Sequence, residues 1–113
     1  MQDTVHVAKE YFKAWNNHDM SRLSSLFDNS IQLIDWENDI RGKNHTLKLN
    51  EKIFELSPCI KAEIIEIGLI SPNKIAAQLL IFLDENRANH IRVVDILTFN
   101  SDLKISLIEA YKC

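Results

Sequence analysis

Apolar and polar positions follow two periods along this chain, and the switch between them divides it. Val5, Ala8, Phe12 and Trp15 recur at helical spacing, with Tyr11 on the flank beside Ala8 and Trp15, so the pattern predicts a first helix. Asn16-Asn17-His18-Asp19 breaks it, and Asp19 is placed to cap a second, short helix running through Leu26-Phe27. Asp28-Asn29-Ser30 reads as a turn, Ile31 to Trp36 as a strand, and Glu37 to Gly42 as a polar loop. A third helix is predicted from about Asn44 to Leu56, with Leu49, Ile53 and Leu56 on one stripe, stopped by Ser57-Pro58.

Beyond Pro58 the pattern becomes strand-like. Segments 60–70, 74–83, 90–99 and 103–111 read as strands joined by short turns, and short turns favour an antiparallel meander. Helices first and strands afterwards predict an α+β fold, with three helices covering one face of a curved sheet and closing a conical pocket.

Asp95 is the anomaly in this pattern. Residues two apart share a strand face, so Asp95 lies with Ile91, Val93, Leu97 and Phe99. An ionised carboxylate among large apolar side chains is costly unless it is paired, hydrogen-bonded or protonated. Asp35 repeats the feature beside Ile31 and Leu33, while Gln32, Ile34 and Trp36 point the other way. Two carboxylates in one pocket whose environments differ divide acid and base roles. The structural alternatives stand beside this: Asp35 solvated by the loop that follows, Asp95 bonded to backbone or to a Tyr. Tyr11 offers a phenol from the first helix, for structure or for a ligand. Trp15, Trp36 and Phe99 are the candidate ligand-contacting walls.

The remaining chemistry is sparse. His6, His18, His45 and His90 lack metal-site spacing; His18 is expected to be exposed and His45 to lie at a pocket mouth. No Ser or Cys sits in a nucleophile motif, and no Gly-rich phosphate loop occurs. At 113 residues with 46% hydrophobic and 26% charged residues, the chain suits one domain, 1–113. A net charge of −3 without a basic run argues against nucleic acid. No apolar stretch approaches a membrane span, and Met1 to His6 lacks a leader pattern. The expected compartment is the cytoplasm, with Cys59 and Cys113 as reduced thiols.

The segments Tyr11 to Asp19, Leu23 to Phe27, Leu33-Ile34-Asp35-Trp36 and Gly42-Lys43, then Val93 to Phe99, Lys104-Ile105 and Ile108 to Tyr111, together resemble the nuclear-transport-factor-2-like superfamily. The SnoaL-like and ketosteroid-isomerase-like branches are most similar. The resemblance implies a cone-shaped (cystatin-like) roll with a curved, mostly antiparallel sheet, an internal pocket and a homodimer formed through the sheet. It places the isomerases' helix Tyr on Tyr11, their first-strand Asp on Asp35 and their late-strand Asp on Asp95. By that resemblance Asp35 is a general base that removes a proton next to a carbonyl, and Tyr11 and a protonated Asp95 donate to the enolate oxygen. It implies no metal or organic cofactor, and a small apolar or carbonyl-containing ligand.

Two departures stand out. The isomerases usually place Pro after the base, where this chain has Trp36, and the acidic loop Glu37-Asn38-Asp39 fits a steroid poorly. Three functions are therefore expected to compete: an isomerase or cyclase, a non-catalytic small-ligand domain, and a dimeric protein-interaction module. Converging carboxylates argue against the third, because a docking surface needs none.

Overall fold

The computed structural model describes residues 3–113; Met1 and Gln2, the start of the stretch read for a leader, lie outside them. Asp3 caps the first helix, α1 (Thr4–Asn16), by accepting from the His6 N–H at 2.8 Å. Ala8, Tyr11, Phe12 and Trp15 are buried as the helical spacing predicts, joined by Thr4, Val7 and Ala14, whereas Val5 is half-buried. Asp19 caps α2 (Met20–Leu26) through the Arg22 N–H. Phe27 then begins a strand rather than ending the helix: β1 spans Phe27–Ile34.

The expected turn at Asp28-Asn29-Ser30 is instead an irregularity inside β1. Between Phe27 and Gln32 the partner strand advances only from Ile105 to Leu107, so extra residues bulge out of the ladder. Asp28 holds the bulge, accepting from the Ser30 N–H at 2.9 Å and from Asn100 Nδ2 at 3.0 Å. The polar loop after β1 contains a short strand, β2 (Asp39–Arg41), paired antiparallel with it. Gly42 follows at φ 97°, a left-handed backbone that favours glycine, and starts α3 (Lys43–Leu56).

The remaining strands are β3 (Lys61–Ser71), β4 (Lys74–Phe82), β5 (His90–Phe99) and β6 (Ile105–Lys112). They form the expected antiparallel meander, but β1 joins β6 in parallel, so the sheet is mixed, with order β2-β1-β6-β5-β4-β3. The helices pack on one face of this curved sheet.

Two polar side chains fasten the helices to it. Asn16 mimics a strand partner, donating to the Ala62 carbonyl at 2.8 Å and accepting from the Ala62 N–H at 2.7 Å. His18 is half-buried rather than exposed: it stacks on Phe54 at 4.1 Å and pairs through Nε2 with the Ile60 carbonyl. The stripe expected on α3 is also shifted. Leu56 is 74% exposed, whereas Thr46, Asn50 and Phe54, spaced four apart, are buried.

Candidate functional site

The strand ladders set the position of both carboxylates. Asp95 pairs with Ala77 on one side and Ala110 on the other. On β1 the last parallel pair is Ile34 with Glu109, and one further residue brings Asp35 beside Ala110. The two carboxylates thus flank one methyl group from strands two spacings apart, roughly 10 Å between backbones. The small Ala110 side chain leaves open space beside Asp95 that a larger residue would fill.

That space is a cavity of about 250 Å³ lined by Tyr11, Trp15, Asp35, Trp36, Asn50 and Asp95 among apolar side chains from α1, α3 and the sheet. Five of the six residues singled out from the sequence therefore meet in one place. Phe99 does not line the cavity. It shares a face with Asp95, as alternation requires, but lies four residues away, about 13 Å along a strand. There it is packed in the core beside Ile105, itself paired with Phe27. His45 also departs from expectation: it is exposed, on a surface hollow with Arg41 and Lys43 outside this cavity.

Asp95 is 8% exposed, and among the described residues its carboxyl has no hydrogen-bond partner. Burial first, and the negative charge of Asp35 second, push it from an ordinary 3.8 up to about 7. Tyr11 is 4% exposed, wedged against Phe12 and Phe27, and its hydroxyl is likewise unpartnered among those residues. Burial, then negative charge on Asp95, raises the phenol far above its usual range, so it remains a donor.

Asp35 is the opposite case. Its Oδ1 accepts from the Glu37 N–H at 2.8 Å, the Asn38 N–H at 2.7 Å and Asn38 Nδ2 at 3.1 Å. Among the described residues its Oδ2 accepts only from Asn38 Nδ2, at 3.2 Å. The loop fixes the carboxylate and leaves accepting capacity on Oδ2. Trp36 follows where the chain has left the strand, so it lines the cavity despite its place in the alternation, and at 44% exposure it forms part of the rim.

Asn50 is the site residue that hydrophobic patterning overlooks. It is 2% exposed, accepts from the Trp15 indole at 3.1 Å and donates to the Thr46 carbonyl at 3.0 Å. The available signal was its spacing of four from Thr46 and Phe54. Among the described residues no three His, Cys, Asp or Glu side chains group to hold a metal, and no helix is long and apolar enough to cross a membrane.

A family model for the SnoaL-like domain matches residues 8–108. No curated protein matches the chain. Among solved structures, a proposed ketosteroid isomerase from Kribbella flavida is 16% identical with a TM-score of 0.82, over 97% of this chain and 77% of that one. A proposed polyketide cyclase from Sinorhizobium meliloti is 17% identical with a TM-score of 0.81, over 92% of each chain. An LEH-like epoxide hydrolase of M. tuberculosis is 14% identical with a TM-score of 0.77, over 97% of this chain and 82% of that one. At such identities these likenesses show the shared fold alone.

Proposed function

The chain belongs to the SnoaL-like domain family, and from that premise we propose that it is an isomerase or cyclase that moves a proton next to a carbonyl. The observation that carries this reading is the pairing of a fixed carboxylate, Asp35, with two unpartnered donors, Tyr11 and Asp95, around one apolar cavity.

In this reading Asp35 Oδ2 takes the proton from the carbon next to the carbonyl. The electrons of the broken C–H bond move onto the carbonyl oxygen. Tyr11 and neutral Asp95 donate to that oxygen as its charge grows, among largely apolar walls. Asp35 then returns the proton to a different carbon, which completes an isomerisation. Trp15 and Trp36 hold the apolar body of the ligand.

The partners in this reading are a small apolar or carbonyl-containing ligand and a second copy of the chain, in the cytoplasm. The exposed Ile65, Leu69 and Ile70 on β3 favour a covered sheet surface, and sedimentation gives the oligomeric state.

A purely ligand-binding role has one observation in its favour: the Asp35 carboxylate is already engaged by its own loop. A panel of conjugated and β,γ-unsaturated ketones, followed by ultraviolet absorbance, separates the two. Turnover by the wild type that is lost in Asp35→Asn supports the enzyme; binding without turnover across the panel supports the binder.

A further inference from the structure

The cavity wall carries a second polar group. Asn50 and Trp15 meet there, and Trp15 lies one helical turn beyond Tyr11 on α1, about 6 Å of rise. Among the described residues each polar atom of the Asn50 amide has one protein partner, the Trp15 indole on Oδ1 and the Thr46 carbonyl on Nδ2. One lone pair and one N–H remain. A buried amide on an apolar wall has few ways to use that capacity except on whatever fills the cavity.

Size bounds the occupant. A dry cavity of about 150 Å³ accommodates benzene, so about 250 Å³ accommodates one or two rings. A four-ring body would have to project past the half-exposed Trp36 and Leu83 at the rim.

Building on the reading above, we infer that the substrate is a compact one- or two-ring carbonyl compound with a second hydrogen-bonding group, which Asn50 reads from the cavity wall. Asn50 is then a specificity-determining residue. It explains why a polar side chain is kept on a wall shared with Leu49 and Ile53.

The test uses phenols that mimic an enolate at one end: phenol and 2-naphthol, each against its two-oxygen counterpart, hydroquinone and 2,6-dihydroxynaphthalene. Affinities are read by Trp fluorescence. In at least one pair the second oxygen is expected to tighten binding five-fold or more, and Asn50→Leu to remove that gain, read as the ratio of the two affinities within the pair. Equal affinities within both pairs, or a gain that survives Asn50→Leu, overturn the inference. Tighter binding of estradiol, a four-ring phenol, than of 2-naphthol overturns the size limit.

If Asn50→Leu does not fold, the Trp15 indole N–H resonance of the wild type decides. It should shift further with the two-oxygen ligand than with its parent; equal shifts count against Asn50. Parent phenols that bind equally well to wild type, Tyr11→Phe and Asp95→Leu sink the enolate site itself, whereas the absence of a second-oxygen gain in the wild type sinks only the role of Asn50. Failure of every probe to bind sinks both.

Discussion

Asp35 and Asp95 face one cavity from either side of Ala110, and only Asp35 has hydrogen-bond partners there. The chain has built two environments for one functional group. The loop from Trp36 to Asn38 supplies donors to one carboxylate, and strands β4, β5 and β6 wall off the other.

Asp95→Asn should stabilise the protein at neutral pH. The Asp95 carboxyl is raised from 3.8 to about 7 on folding, so the folded state holds its proton more tightly than the unfolded chain does. Below about 3.8 both states are protonated and the group has no effect. As pH rises towards about 7 the unfolded chain ionises first, and stability falls by on the order of 4 kcal/mol. Above that the loss is constant. Asn lacks this loss, so its advantage in urea denaturation should be largest at pH 8 and shrink towards pH 4. A constant difference across that range contradicts the buried, raised carboxyl.

Tyr11→Phe should lower kcat by roughly 10²–10³, the usual cost of removing one oxyanion donor. Stability should change little, because the hydroxyl has no partner among the described residues to lose. A large fall in Tm with unchanged kcat would assign Tyr11 to the core instead.

Activity should decline as pH rises through about 7, where Asp95 loses its donor proton. The phenol of Tyr11, raised by burial, does not contribute to that limb. The pH dependence of kcat/KM should show it in the wild type and lose it in Asp95→Asn.

Ala110→Leu should abolish ligand binding while the protein remains folded. The added atoms would enter the gap between the two carboxylates, and Ala110 is only half-buried, so the side chain has room to shift without breaking the core. Unchanged affinity for 2-naphthol would show that the ligand sits elsewhere.

Much of this site was legible in the pattern of residues, because alternation on β5 marks Asp95 without any knowledge of tertiary structure. Face is what alternation gives; depth is not. Phe99 therefore shared the face of Asp95 and still fell in the core beyond the cavity. The parallel pairing of β1 with β6 was hidden for a related reason, since partners some 75 residues apart leave no local trace. On α3 the apolar residues suggested one stripe, while Thr46, Asn50 and Phe54 formed the buried one. Polar residues buried through hydrogen bonds with Trp15 and backbone are invisible to a hydrophobic count. Trp36 reached the cavity because the strand ends at Ile34, a boundary that turn chemistry alone does not fix.

The protonation of Asp95 is the centre of the account. Titration of its carboxyl carbon by NMR in the ligand-free wild type reads it directly. A midpoint near 7, within about one unit, is expected from burial beside a charged Asp35. A midpoint near the ordinary carboxylate value of about 3.9 would contradict the neutral donor and the proton-transfer reading that depends on it.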